Sequence, residues 1–372
     1  MIAPRPRLTA ALLGLVIAGA LEAPSKRFAW VTIANDSARY KAMAIVLFSS
    51  LRRFETRADC VLLCAGCALD PRERQLLASL RVVVRNTSNP VVLAPDAEIQ
   101  ARLFGDHVHK EHERLTQRTG AGDFIKLRAH ALVAYERVVL LDADMLALAH
   151  ADELFDAEEG AHCNGPRSPL NAGLVVIAPR LGDFEELVRT ALAANYSKQS
   201  GWRGEGPCRN MRGKRASELS NGCQNRHIMQ GLWHWWFVSR HVPPGDRIAL
   251  RAAEDRLLLP RDRYNALQDE PSRGSSYSNI TFVHFWNCQG EIGAANECAG
   301  AGTHRDATAG LRRGLRKKSP LWRETLCTRA WRAWSAELEH VCAAALPPRS
   351  SCCHALSPEA RTSTVATSVA TH

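Results

Sequence analysis

Outside its N-terminal segment the chain has no apolar run approaching the roughly 20 residues that cross a bilayer, which excludes a polytopic membrane protein. It has no internal repeat, so solenoids and propellers are excluded as well. Cys60, Cys64 and Cys67 lack a second pair of ligands at finger-like spacing, which leaves a structural zinc site without its other half. No RNA- or DNA-binding motif is present, although Lys and Arg outnumber Asp and Glu by 48 to 38. That basic excess therefore points to phosphates, acidic glycans or a membrane surface, and no nucleic-acid partner is expected. The densest basic cluster, Arg312, Arg313, Arg316, Lys317 and Lys318, reads first as a solvated helix face, with contact to an anionic ligand as the alternative.

What is there is ordinary globular material: 372 residues, 46% hydrophobic and 23% charged, enough to bury a large core. Residues 1–23 carry Arg5 and Arg7, then an apolar run from Leu8 to Leu21 with the small residues Ala18, Gly19 and Ala20 inside it. That is the layout of a secretory signal peptide, with a short signal anchor as the alternative, so membrane anchoring through this segment stays open. Twelve cysteines fit an oxidising compartment that allows disulfides. The expected location is the secretory pathway, in the Golgi or ER lumen, or outside the cell. N-glycosylation patterns at Asn35, Asn86, Asn195 and Asn279 agree but are short enough to arise by chance.

From Phe28 onward apolar β-rich runs alternate with helical ones. Phe28 to Ile33, Cys60 to Leu63, Val82 to Val84, Arg137 to Leu141 and Leu174 to Ile177 read as strands. Helices are expected over Lys41 to Arg53, from Pro71, from Asp123 with Phe124, Leu127 and Ala131 on one face, after Pro179, and over Ile228 to Phe237. Such alternation predicts an α/β fold, a Rossmann-like mainly parallel sheet flanked by helices. The Trp-rich stretch with Trp233, Trp235 and Trp236 offers faces for sugar stacking, but its helical spacing suits core packing better.

The strand Arg137 to Leu141 runs directly into Asp142-Ala143-Asp144. In open α/β sheets ligands bind beyond the carboxyl ends of strands, so this acidic pair falls where chemistry is expected. In extended backbone the carboxylates at i and i+2 point to one side and can share a divalent cation, while Ala143 packs away. Read alone, the triplet is weak evidence, and two exposed aspartates in a turn are the alternative.

Five ordered stretches change that weighing. Val31-Thr32-Ile33-Ala34-Asn35-Asp36 with Tyr40, Phe124-Ile125-Lys126-Leu127 leading to Asp142-Ala143-Asp144, Leu170-Asn171-Ala172-Gly173, Leu259-Pro260 with Tyr264-Asn265, and Val283-His284-Phe285 together resemble the glycogenin-like (family 8) retaining glycosyltransferases. The resemblance covers about residues 28 to 285. It implies a GT-A nucleotide-diphospho-sugar transferase fold, a UDP-sugar donor, and Mn²⁺ at the donor diphosphate, with Mg²⁺ as the alternative ion. It implies Asp142, Asp144 and His284 as metal ligands, although His284 by itself reads as a core histidine. Thr32, Ile33, Asn35 and Tyr40 are implied for the nucleoside, and Lys126, Ala143, Asn171 and Gly173 for the donor sugar and phosphates, with Lys126, Asn171 and Gln230 as the catalytic set.

Two places depart from the family pattern. Met229-Gln230-Gly231 stands where the family has Asp-Gln-Gly. The family's Lys-Pro-Trp sequence is missing after His284; Lys317-Lys318-Ser319-Pro320-Leu321-Trp322 could be a displaced version of it after an insertion, which would make Lys318 a candidate for the diphosphate. The expected organisation is a signal at 1–23, a glycosyltransferase domain at 26–290, a basic helical extension at 291–346 and a disordered tail at 347–372. The expected activity is retaining transfer of a hexosyl group to a hydroxyl on a glycan, protein or small molecule. The alternative is a catalytically impaired, nucleotide-sugar-binding or lectin-like member of the same fold, and a homodimer is compatible with either.

Overall fold

A computed structural model of the chain describes residues 28–91, 121–165, 170–193, 196–197, 201–203, 229–243, 245–267 and 279–285, with six positions between 333 and 341. β1 (Phe28–Ala34) leads to α1 (Ala38–Arg53), β2 (Asp59–Ala65), α2 (Pro71–Ser79) and β3 (Val82–Thr87). α2 starts where its sequence dictates. Asp70 accepts from the Glu73 amide, the Glu73 carboxylate accepts from the Asp70 amide, and Pro71 fills the first turn, where no donor is needed.

A run of 3-10 turns (Ala121–Ala131) precedes β4 (Arg137–Leu141), β5 (Met145–Ala147), β6 (His162–Cys163), β7 (Asn171–Ile177) and α3 (Leu181–Leu192). Then come β8 (Tyr196–Ser197), β9 (Gly201–Trp202), α4 (Met229–Phe237), α5 (Arg247–Leu257), α6 (Arg261–Tyr264), β10 (Ala266–Leu267) and β11 (Phe282–His284).

The main sheet has the order β3-β2-β1-β4-β7-β6, with the first four strands parallel and the last two antiparallel to their inner neighbours. This is the mainly parallel α/β sheet expected from the alternating pattern. Because side chains alternate along a strand, each strand feeds both faces. Trp30, Leu62, Val139 and Val176 enter a core that includes α1, while Ala29, Val31, Val61, Leu140 and Val175 enter the one containing α3 and α4. Coverage on both sides explains why the strands read as unbroken apolar runs. A small second sheet, β10-β11-β5, stands beyond the carboxyl end of β4.

One expectation is revised. The stretch from Asp123 winds as 3-10 turns, and Phe124, Leu127 and His130, three residues apart, are all fully buried. At three residues per turn these side chains eclipse; an α-helix would rotate His130 well off that line. The cysteine trio forms no zinc site: Cys64 and Cys67 are joined in a disulfide, and Cys60 is buried in β2 outside that bond. Within the expected basic extension, Trp334, Glu337 and Val341 are buried core residues, with Ser49 of α1 donating to Glu337 and Arg53 lying 2.9 Å from its other oxygen.

Trp233, Trp235 and Trp236 are all buried, so all three serve the core. The signal segment, Lys318 with its basic cluster, and the tail lie outside the described residues. Among the described residues no helix is long and apolar enough to cross a membrane.

His130 lies in the core between Trp233, whose indole N–H donates to its Nε2 at 3.2 Å, and Phe237, whose ring stacks at 6.0 Å. Burial, reinforced by Arg180 and Arg240, pushes its pKa down to about 3. An unfolded histidine titrates near 6.5, so between those values only the unfolded chain takes up the proton. Stability from this group is complete above the unfolded value and falls as pH drops through the window, by up to about 1.4 kcal/mol per pH unit. Urea midpoints collected from neutral to acid pH should therefore fall less steeply for His130→Leu than for the parent, whatever the variant loses in absolute stability. Parallel acid limbs would contradict the buried neutral histidine.

Candidate metal centre

β4 ends at Leu141 and the chain turns at once: the Met145 amide donates to the Asp142 carbonyl at 3.2 Å, closing a β-turn over residues 142–145. The acidic pair therefore does not sit in extended backbone, as the i, i+2 argument supposed. The turn itself brings both carboxylates to one side, with Ala143 buried. Strand pairing holds each end. Leu141 is opposite Leu174 in β7, and the Asp142 amide continues that ladder to the Gly173 carbonyl at 2.8 Å. On the other side Met145 is opposite His284 in β11, and the Phe285 amide donates to the Asp144 carbonyl at 2.8 Å.

This pairing carries His284 to the aspartates across a long stretch of sequence. Its Nε2 is 3.3 Å from Asp144 Oδ1 and 3.8 Å from Asp142 Oδ2, and its Nδ1 is 2.8 Å from Asn265 Oδ1. One donor atom from each of Asp142, Asp144 and His284 lies within 4.8 Å of the others, the only such group of three among the described residues. A six-coordinate ion with ligands at about 2.1 Å separates neighbouring donors by about 3 Å, so the spacing fits a divalent cation after small shifts. Two carboxylates and an imidazole suit a borderline ion better than the all-oxygen shell preferred by Mg²⁺.

Lys126 reaches the same group from the 3-10 segment. Its Nζ is 2.8 Å from Asp142 Oδ1 and 3.0 Å from Asp123 Oδ1. Three residues per turn stack Asp123 directly beneath Lys126, which is why this pair forms. Asp142 thus divides its oxygens, one toward the ammonium and one toward His284. Burial works against the Lys126 charge, but Asp123 and Asp142 outweigh it and hold its pKa above the usual lysine value. Burial likewise raises the Asp123 carboxyl, with Asp142 adding to the rise and Lys126 opposing it. For His284, burial alone would lower the pKa, yet the Asp144 and Asp142 carboxylates raise it overall.

Gly173 makes the close approach feasible. A Cβ there would lie 2.7 Å from Asn171 Oδ1, 2.8 Å from His284 Cε1 and 3.1 Å from Asp142 Oδ2. Asn171 Oδ1 accepts from the Gly173 amide at 2.7 Å, so this asparagine also shapes its own turn.

The remaining expected residues lie at varying distance from this group. Parallel register sets Val31 beside Leu140, so Thr32 and Ile33 at the end of β1, and Asn35 just after it, lie at the same end of the sheet as the aspartates. Thr32 is fully buried and its hydroxyl donates to the Leu141 carbonyl at 2.8 Å, tying β1 to the end of β4. Asn35 is exposed and accepts from the Ser37 amide, and Tyr40 is half-buried in the first turn of α1. Gln230 is half-buried in the first turn of α4, next to the fully buried Met229. Two contributors had no assigned role from sequence: Asp123, read there only as the start of a helix, and Asn265, noted only as part of a Tyr-Asn pair.

No family profile matches the chain. Glycogenin-1 of Homo sapiens is 30% identical over 166 residues, covering 44% of this chain and 43% of its own length. Glycogenin-2 of Homo sapiens is 30% identical over 167 residues, covering 44% and 30%, and glucose N-acetyltransferase 1 of Gibberella zeae is 29% identical over 181 residues, covering 44% and 36%. The chain thus spans less than half the length of the curated relatives it matches. Among solved structures, the galactosyltransferase LgtC with donor and acceptor sugar analogues superposes at TM-score 0.38 with 13% identity, over 83% of this chain and 95% of that one. The glycosyltransferase GlyE of Streptococcus pneumoniae gives 0.39 and 13%, over 87% and 66%. The resemblance to glycogenins noted in the sequence holds in these alignments.

Because a single methyl at residue 173 collides with two members of the group, Gly173→Ala should weaken Mn²⁺ binding roughly tenfold or more in protein that still folds by circular dichroism. Mn²⁺ titration followed by electron paramagnetic resonance measures this. Unchanged affinity would mean that the group does not close around an ion at this point.

Proposed function

We propose, for a chain homologous to the glycogenins over less than half its length, that it is a retaining, metal-dependent glycosyltransferase passing a hexosyl group from a UDP-sugar to a hydroxyl acceptor. The observation that carries this reading is the arrangement around Asp142: a cation-sized group of Asp142, Asp144 and His284 on one oxygen and the Lys126 ammonium on the other. Asp142 is the more open aspartate, which leaves an approach from its side for an anionic donor.

Asp142, Asp144 and His284 would hold Mn²⁺, with Mg²⁺ as the alternative, and the ion would supply positive charge against the diphosphate as it leaves. Lys126 adds a second, fixed positive charge, already oriented by Asp123 and therefore needing little reorganisation as negative charge develops. Asn171 stands at the head of β7 within reach of the same space and is assigned to the donor sugar. The edge from Thr32 to Tyr40 is assigned to the nucleoside. Retention, and with it attack on the face from which the diphosphate departs, rests on the glycogenin homology. The acceptor is a glycan, protein or small-molecule hydroxyl.

Met229 favours one competing reading. An apolar, fully buried side chain occupies the place of the family's aspartate, which suits a protein that binds a nucleotide-sugar without transferring it.

The two readings separate in a donor-hydrolysis screen with UDP-glucose, UDP-galactose, UDP-glucuronate and UDP-N-acetylglucosamine plus Mn²⁺. Turnover of a donor, lost on chelation and abolished by Asp144→Ala with melting intact, is expected for the transferase. Lys126→Ala should reduce turnover by roughly 10²- to 10³-fold, the usual effect of removing one preorganised stabiliser of developing charge. Metal-independent turnover would overturn the reading, and UDP binding with Mn²⁺ but no turnover across the panel would establish the binding-only alternative.

A further inference from the structure

Asn265 is fully buried beside the cluster and is used by none of the steps above. Its backbone is held from both sides. Its amide donates to the Arg261 carbonyl at 2.8 Å, and the next residues form β10, which pairs with β11 so that Ala266 meets Val283 and Leu267 meets His284. The strand that bears His284 and the residue that faces its ring are therefore positioned by the same small sheet. The Asn265 side-chain oxygen is 2.8 Å from His284 Nδ1, and its Nδ2 has no partner among the described residues. A buried N–H left unpaired costs about 1–3 kcal/mol, a cost that an apolar side chain of similar size would avoid.

A neutral imidazole carries one proton, and the nitrogen without it is the one that can ligate. We propose that Asn265 is a positioning residue of the cation site, its side-chain carbonyl accepting the Nδ1 proton of His284 and so presenting the bare Nε2 to the space between Asp142 and Asp144. The assignment rests on the reading that Asp142, Asp144 and His284 hold a divalent cation. With the amide turned over, Nδ2 would donate to Nδ1, the proton would sit on Nε2 facing the carboxylates, and a cation would have to displace it to bind, which weakens ligation.

The choice of an amide also has a chemical sense. A carboxylate at 265 would orient the ring equally well, but it would add a third negative charge to Asp142 and Asp144 where an anionic diphosphate must bind. Asn265 accepts the same hydrogen bond without that charge.

The test compares the parent with Asn265→Asp and Asn265→Leu on two independent readouts. In metal-free protein in alkaline buffer, histidine ring ¹⁵N shifts, with the His284 signals identified by their loss in His284→Gln, should show the Nδ1–H tautomer in the parent and in Asn265→Asp. In Asn265→Leu the Nε2–H form should gain. Mn²⁺ affinity should fall roughly 10- to 100-fold in Asn265→Leu, the usual effect of removing a hydrogen-bond partner behind a metal ligand. It should be kept in Asn265→Asp, which should instead bind UDP several-fold more weakly. That split between ion and nucleotide is one that simple loss of packing would not produce. An Nε2–H tautomer in the parent, or parental Mn²⁺ affinity in Asn265→Leu with circular dichroism unchanged, overturns the assignment. If the parent binds no Mn²⁺, the cation reading falls, and an unchanged tautomer across the variants separately rules out control of the ring by Asn265.

Discussion

Two backbone hydrogen bonds hold the turn on which the rest of the candidate site depends: Asp142 to Gly173 on one side and Phe285 to Asp144 on the other. The first belongs to the ladder of the main sheet, whose strands are buried on both faces and whose register is fixed by that burial. The second belongs to the small sheet, a pairing of only a few residues. The site is thus built across two sheets of unequal size. Asp142, Gly173 and Lys126 are supported by the large core, while His284 and Asn265 come with β10 and β11. A change that loosens the small sheet would remove the histidine and its partner together, leaving the aspartate–lysine contact in place.

The charges in this turn explain why the fold tolerates them. Three carboxylates, Asp123, Asp142 and Asp144, stand against one ammonium and one imidazole, mostly out of solvent. Isolated buried charges are strongly disfavoured, so the excess negative charge must be relieved. Burial is the main cause that raises the Asp123 carboxyl, with Asp142 adding to it, whereas His284 is raised against burial by the Asp144 and Asp142 carboxylates. A divalent cation between Asp142, Asp144 and His284 would relieve the excess negative charge more completely and would displace the proton from His284. Lys126 would keep a counter-charge in Asp123 when Asp142 turns toward an ion, which gives the 3-10 winding of that segment a consequence at the site.

Much of this was legible in the sequence because it follows from local chemistry. The strands of the main sheet announce themselves as apolar runs, α2 by Pro71 at its start, and the aspartates by their place directly after β4. His284 and Lys126 were legible only through their neighbours in the family motifs, since neither position carries a periodic signal. What could not be read was pairing at a distance. Nothing near residue 265 says that its side chain meets residue 284, because that contact follows from β10 lying beside β11. Glu337 was hidden in the same way, a carboxylate in a basic stretch that proves to be locked against Ser49 and Arg53 of α1. The 3-10 winding was missed because spacings of three and four residues look alike over so short a segment.

The departure at Met229 has a physical setting in the core. Its side chain is fully buried, in the apolar cluster that also contains Ala172, Leu232 and Trp233. A carboxylate in that environment would need a buried partner or a proton, and either would cost more than methionine, which adapts its shape to irregular gaps. The Trp-rich α4 is accordingly packed as a core helix along its length, with Trp233, Trp235 and Trp236 all turned inward. The group at the end of β4 and the first turn of α4 are therefore under different constraints. Asp142, Asp144 and His284 are fixed together by strand pairing and charge, whereas the first turn of α4 is governed by apolar packing.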